Sequence, residues 1–469
     1  MKRSFLPVAL SLLAGSCALG PNYRRPTVAI PSTFRDVTVS ATPTELASLT
    51  DTRWFDLFKD DTLTRLVRSA LAQNFDLRIA AERVLQARER LHIARADRFP
   101  VVGGSAAASE NRVSEAGPRP LPAAVGPEVA DFQIGFGLSW ELDVWGRVRR
   151  LNEAARAQYL ATEEARRGVV TTLVADVTDA YFLLQTLDRQ LVIARGTQDV
   201  AASGLRLTQV RRERGVATAL DTRQAEQLLY TATAQIAGLE RQIAQTEDAL
   251  SLLLGRAPGD VMRTAGFIDT FNARPAVPVG LPSALLERRP DIRQAEQALV
   301  AANAQIGVAR AEYFPRIALT GLLGLDSREL SDLLTAPART GSIGAFAAAP
   351  LFNAGRTRAG IRLSESVARE LVVTYERSIY NALREVSDAL AGYRKTGEQR
   401  AQQEQLVAAL RDATRLSTDR YQGGLDSYLQ VLDAQRSLFR SELDLVALQR
   451  QELVAIVELY RALGGGWNE

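Results

Sequence analysis

FQIGFGLSWELDV, residues 132–144, carries the pattern on which the fold turns. Every even position is apolar (Phe132, Ile134, Phe136, Leu138, Trp140, Leu142, Val144), and every odd one is polar or glycine. A period of two with one wholly apolar face predicts a β-strand between two different surroundings, long enough to cross a bilayer. An edge of a soluble sandwich can show the same alternation, so the rest of the chain has to decide. Candidate partners are residues 101–112, residues 316–326, with Ile317, Leu319, Leu323 and Leu325 on one face, and residues 342–353, which are alanine-rich and alternate poorly. The stretches between them, about 113–130, with Pro118, Pro120, Pro122 and Pro127, and about 327–341, read as hairpin tips.

Around these strands the chain repeats itself. Residues 76–100 align without a gap on residues 291–315 with nine identities in 25. At a second offset, 209, Gly146-Arg147 falls on Gly355-Arg356, Val177 on Val386, Asp179 on Asp388, Gly215 on Gly424, Ala225 on Ala434 and Leu254-Gly255 on Leu463-Gly464. A spacing held over so many residues marks one large unit used twice rather than a short solenoid period. Each copy reads helix, strand, loop, strand, very long helix, helix. The long helix of copy one is expected from about Gly146 to Arg211, with Val170, Leu173, Val177, Tyr181, Leu184, Leu187 and Leu191 stepping by three or four. Ile379, Val386, Leu390 and Tyr393 continue the pattern in copy two. At ~1.5 Å per residue such a helix is about 100 Å long, and flanking helices at roughly 62–98 and 218–254 are about 55 Å each. Two short helices end to end match one long one, which favours a tall helical cylinder over a compact ball. The expected division is repeat 1 at 62–255, a proline-bearing linker at 256–282, repeat 2 at 283–466 and a short end at 467–469.

Composition excludes several functions. The chain has 469 residues, 57 Lys plus Arg against 54 Asp plus Glu, one His and one Cys. A formal charge of +3 leaves little surplus basicity for nucleic acid. A lone Cys17 permits neither an intrachain disulfide nor a cysteine zinc site, and a lone His92 on a helical stretch argues against a histidine-based catalytic or metal centre. The glycines at 464–466 lack the Lys and Ser/Thr of a phosphate loop and read as a helix stop. The reading is therefore of a protein that is not an enzyme and has no cofactor and no metal.

Residues 1–16 show a basic start, an apolar centre from Phe5 to Leu13 and small residues before Cys17, the form of a secretory signal peptide. LAGSC resembles a bacterial lipobox, which implies cleavage before Cys17 and lipid on that residue, with 17–61 a lipidated N-terminal extension. An ordinary secreted protein with an incidental cysteine is the alternative. No other segment has ~18 uninterrupted apolar residues, so any membrane crossing is by strands. Four strands are too few to close. Closed barrels start at about eight strands, which their own side chains fill, so a dimer leaves little pore and a trimer of about twelve strands is the smallest assembly with a lumen.

CALGPNYRRP after the cleavage site, RRPDIRQAEQALVAANAQIGVARAEYFP, RYQGGLDSYLQVLDAQRSL and the terminal ALGGGW resemble the TolC family of outer-membrane factors, in its lipidated OprM/NodT-like efflux branch. The resemblance implies a mainly α fold with a membrane β-barrel: a homotrimeric α-barrel/β-barrel duct with two structural repeats and four strands per protomer. It also implies a place in the outer membrane lipid, a periplasmic helical part, and partnership with a periplasmic adaptor and an inner-membrane RND-type pump. In RYQGGLDSYLQVLDAQ, Leu429 and Asp433 match the leucine and aspartate that constrict the family's periplasmic aperture. Asp221 and Tyr421 match a pair whose hydrogen bond keeps members closed. Gln430 replaces a second aperture acid, and Asp426 stands where a latch arginine is found. A type I secretion duct and, from another class, a structural or adaptor coiled-coil lipoprotein are the competing readings; the membrane-type strand at 132–144 argues against the latter.

Overall fold

The computed structural model describes residues 18–32, 34, 58, 60–114, 127–264 and 284–465. The signal peptide, Cys17, much of the 17–61 extension, part of the linker and residues 467–469 lie outside the described residues. In chain order the elements are α1 (Asp61–Gln73), α2 (Phe75–Ala96), β1 (Val101–Arg112), β2 (Glu128–Leu142), α3 (Arg147–Glu213), α4 (Ala219–Leu253), the single turn α5 (Leu285–Arg288), α6 (Pro290–Ala311), β3 (Arg316–Ser327), two short 3₁₀ turns, β4 (Arg339–Ala348), α7 (Arg356–Gln422) and α8 (Tyr428–Ala462). Copy matches copy in length: α2 and α6 have 22 residues each, α3 and α7 have 67, and α4 and α8 have 35.

The expected helix at 62–98 is broken in two at Asn74. Its backbone leaves the helical region (φ −56°, ψ 135°), while its side-chain oxygen accepts from Leu77 N at 2.9 Å and so caps α2. In copy two Arg289-Pro290 makes the same break, because the proline cannot continue the turn before it and suits a helix start. The strand expected at 132–144 starts earlier, at Glu128, and stops at Leu142, where Asp143 turns to cap α3. The strand expected at 342–353 runs instead over Arg339–Ala348.

The chain forms two compact units, each drawing on both copies. The first takes Met1–Thr27, Val84–Thr162 and Gln294–Tyr375, and the second Val28–Arg83, Glu163–Arg293 and Glu376–Glu469.

The first unit holds one antiparallel sheet, order β1-β2-β3-β4. Directly opposed residues share a face, so the register places Val102, Ala106, Phe132, Ile134, Phe136, Leu138, Trp140, Ile317, Leu319, Leu323, Leu325, Ile343, Ala345 and Ala347 together. Gln133, Ser139, Glu141, Thr320, Asp326, Thr340 and Ser342 lie on the other. The weak alternation of β4 thus becomes legible only through its pairing with β3. Phe136 (66%), Leu323 (70%) and Ile343 (96%) are exposed, so these parts of the apolar face have no cover among the described residues. The N-terminal stretch binds this unit: Leu19 N donates to Trp145 O at 3.1 Å, and Arg25 grips Glu296 through two bonds of 2.7 and 2.8 Å.

The second unit is helical and buries Val177, Tyr181, Phe182 and Leu184 of α3 completely. Each contributes about 1.5–3 kcal/mol of apolar burial. Tyr181 donates to Asp60 at 2.6 Å, and Asp60 in turn caps α1 by accepting from Thr62 N and Leu63 N. Burial, followed by that hydrogen bond, pushes the Tyr181 phenol up to about 12. Arg263 ties α3 to α4 through Asp188 and Glu247. No described helix is long and apolar enough to cross a membrane.

Candidate functional site

The residues matched to the aperture lie where α7 turns into α8. Gly424 has φ +75°, and Gly424 N and Leu425 N donate back to Tyr421 O and Arg420 O at 3.0 and 2.9 Å, a glycine-terminated helix end. Gly215 closes α3 in the same way, with φ +75°. Beyond the turn, α8 buries Tyr428, Val431 and Leu432 against Ala201 of α3, Ala225 and Leu228 of α4 and Tyr421 of α7. Leu429 is 51% exposed, and Asp433, one turn on, is also exposed. Residues four apart on a helix are neighbours, so the two form one patch facing away from the unit's own core.

The expected Asp221–Tyr421 hydrogen bond is not made. Asp221 Oδ2 accepts from Thr218 N at 2.8 Å and Thr218 Oγ1 at 2.9 Å, and Asp221 N donates to Thr218 Oγ1 at 3.2 Å. This capping box satisfies donors at the start of α4 that the helix leaves orphaned, a gain of about 1 kcal/mol. In copy two, where Gln430 takes the place of Asp221, Ser427 makes no side-chain cap, and Gln430 N donates to the Ser427 backbone carbonyl at 3.2 Å. The Tyr421 ring is held instead by the Arg211 guanidinium, 4.6 Å from its centroid, and by the edge of Tyr428 at 5.3 Å. Arg211 Nη1 also donates to Tyr421 O at 3.2 Å.

Four buried polar atoms at this turn, Tyr421 OH, Tyr428 OH, Arg211 Nε and Thr222 Oγ1, have no hydrogen-bond partner among the described residues. Burial pushes both phenols up, Tyr428 to about 12. Burial is the largest cause for Tyr421, with Arg211 opposing and Asp221 reinforcing the shift. Asp426 pairs with Arg420 of its own turn at 2.5 Å. Sequence reasoning missed Arg211 and Tyr428, which carry no motif of their own. It also passed over the cap, although Thr218-x-x-Asp221 before an apolar run is a readable signal.

The chain matches the family described as "Outer membrane efflux protein" over residues 66–256 and 281–465. It is 39% identical over 472 residues to the solvent efflux pump outer membrane protein SrpC of Pseudomonas putida, covering 100% of this chain and 99% of that one. It is 36% identical over 458 residues to the probable outer membrane lipoprotein SilC of Salmonella typhimurium, covering 98% and 97%. The solved outer-membrane channel OprN superposes with a TM-score of 0.86 at 31% identity, over 96% of this chain and 100% of that one. With an apolar-faced four-stranded sheet, paired long helices and two matched halves, the chain belongs to the outer membrane efflux protein family and has the TolC-like fold.

Proposed function

We propose that three copies close into a passive duct through the outer membrane and that the duct conducts small molecules delivered by an inner-membrane RND-type pump through a periplasmic adaptor. The observation that carries this reading is the sheet: over residues 102–108, 132–142, 317–325 and 341–347 one face carries only apolar residues and glycine, with charged residues on that face confined to the end away from the helices, and its outer strands β1 and β4 have no partner among the described residues. An open edge at membrane depth leaves a row of backbone donors and acceptors unsatisfied, each costing several kcal/mol in hydrocarbon. Pairing β4 of one copy with β1 of the next removes both edges, and three copies reach the width that leaves a lumen. Conduction of this kind needs no catalytic group, and the energy comes from the pump.

Lipid on Cys17 anchors the chain in the same membrane, a reading supported by the name of the relative SilC. Leu429 and Asp433, exposed on α8, form an apolar ring beside a carboxylate ring about the three-fold axis, and Asp221 and Tyr421 hold the closed state. In the arrangement seen here that latch is undone and Asp221 serves as a cap. Single-channel conductance in a planar bilayer, with the mass of the detergent-extracted protein, tests the reading. A trimer with cation-selective currents is expected; a monomer without currents overturns it.

A further inference from the structure

We propose that the helix-side end of the sheet is a binding collar for anionic phospholipid headgroups, formed where β4 of one copy meets β1 of the next. The junction rests on the trimer proposed above. The register sets Val101, Leu142, Arg316 and Ala348 at one end of the sheet, so the residues just beyond them form its rim.

The two copies treat this rim differently. In copy one, Arg147 pairs with Glu141 at 2.7 Å and Arg149 with Asp143 at 3.0 Å, and Asp143 also accepts from Val148 N and Arg149 N at 2.9 Å each. The offset of 209 carries Arg147 and Arg149 onto Arg356 and Arg358, but it carries Glu141 onto Pro350 and Asp143 onto Phe352. Copy two therefore keeps both arginines and has lost both carboxylates. Arg356 and Arg358 are exposed, and neither guanidinium has an ion pair or hydrogen bond among the described residues. The same holds for Arg95 and Arg98, which precede β1 at the sheet's other edge. Closure of β4 on a neighbour's β1 brings the two sets together.

Asp97, between Arg95 and Arg98, is the exposed acid among these arginines, and Glu312 pairs with Arg316 at 3.7 Å; the other large side chains beside them are apolar. Leu351 is 99% exposed and Phe352 90%, on a turn that holds Ala354 at φ +51°, the one non-glycine with positive φ among the described residues. Phe99 (67%) and Tyr313 (54%) are exposed at the same rim, and Trp145 stacks on Phe314 at 4.7 Å. The opposite end of the sheet has the reverse charge, with Glu110, Glu128, Asp131, Asp326, Glu329 and Asp332 against Arg112, Arg328 and Arg339. Copy one shows the ligand class these arginines take, a two-oxygen anion. Guanidinium binds phosphate as readily in that fork geometry, and interfacial aromatics sit at headgroup depth. An anionic headgroup carrying acyl chains supplies both the charge and the apolar contact.

Native mass spectrometry of the full-length protein from detergent, loaded with phosphatidylglycerol or with phosphatidylcholine of the same acyl chains, tests the collar. The wild type is expected as a trimer that retains phosphatidylglycerol preferentially. Arg356→Gln with Arg358→Gln lowers that retention about tenfold or more, since each basic residue near an anionic surface is worth about fivefold. Phe352→Asp, which installs the carboxylate of copy one, moves retention the same way, whereas Arg78→Gln with Arg83→Gln and Arg377→Gln leaves it unchanged. Equal retention of the two lipids by the wild type overturns the collar, as does undiminished preference in the Gln or Asp variants. Gln variants that fall apart into monomers overturn it too, because the arginines then meet a neighbour's acid. A monomeric wild type whose phosphatidylglycerol preference still depends on Arg356 and Arg358 overturns the junction and the trimer but leaves the headgroup contact standing.

Discussion

The Asn74 side chain donates to the backbone carbonyl of Leu253 at 2.9 Å, joining the break between α1 and α2 to the far end of α4, 179 residues away. Copy two makes the equivalent bond with different chemistry: Arg289 Nη1 donates to Ala462 O at 2.9 Å, where α8 ends. Both donors are buried, Asn74 at 3% and Arg289 at 7% exposure. The break in the helix and the closure of the repeat are thus one device, in which a residue leaving one helix satisfies the last carbonyls of another.

Asn74→Ala removes the donor to Leu253 and the cap on Leu77 together, leaving a buried backbone N–H and a part-buried carbonyl unpaired. A loss of about 2–4 kcal/mol is expected, read as a lower midpoint of chemical unfolding in detergent. Arg289→Ala should cost at least as much, because Asp291 and Glu385 lose their shared partner as well. A midpoint unchanged in both variants would show that the repeat closes without these bonds.

Two glycines separate conformational strain from contact. Gly255 has φ +71°, and a methyl group there meets Gln73 O at 2.3 Å; Gly424 has φ +75° with open space around it. Gly424→Ala is expected to cost about 1–2 kcal/mol, the penalty for a side chain in the left-handed region. Gly255→Ala should cost clearly more, since the opposing atom is backbone and α1 has to shift. Equal losses in a paired unfolding experiment would count against the close approach of Gly255 to Gln73.

These particulars show what a sequence discloses. The glycines at 146, 215 and 255 and their partners 209 residues on were readable as a repeat, and all six have positive φ, because only glycine adopts that backbone freely. The matched long helices and the apolar face of β2 followed from periodicity. Asn74 was not readable, since asparagine within a helical pattern is only mildly unfavourable and its partner is remote in sequence. β4 was misplaced because alanines blur the alternation, and its pairing with β3 sets its bounds. At the turn, resemblance pointed Asp221 at Tyr421, whereas the local competitor Thr218, three residues away, holds that carboxylate here.

Alkaline titration tests the buried phenols. Tyr181 and Tyr428 are both raised from the ordinary 10.0 to about 12, mainly by burial. The folded state therefore holds these protons more tightly than the unfolded chain does. Their contribution is fully present below pH 10 and is lost as pH rises toward 12, about 2–3 kcal/mol for each group. Phenolate absorbance should show a fraction that ionises only as helical circular dichroism is lost, smaller in Tyr181→Phe. Ionisation of every tyrosine near pH 10 with the helices intact would contradict the burial.

The aperture reading stands or falls on Asp433. It is exposed on the face of α8 that its own unit leaves uncovered, one turn from Leu429, and the proposed trimer would set three such carboxylates around one axis. Such a ring raises the local concentration of cations and repels anions, an effect that weakens with ionic strength. Asp433→Asn keeps the size of the side chain and removes the charge, so single-channel recordings should show reduced cation preference at low salt and little change at high salt. Tyr421→Phe acts differently. It deletes a hydroxyl that is buried without a partner in the present arrangement, where leaving it unpaired costs about 1–3 kcal/mol, and it abolishes the bond that Asp221 offers in a latched state. Both effects favour the unlatched form, so Tyr421→Phe should raise the time spent conducting without altering selectivity, and adding Asp433→Asn should change selectivity on top of it. If Asp433→Asn leaves ion preference untouched at every salt concentration, the narrowest point of the duct lies elsewhere and Asp433 is an ordinary solvated helix acid.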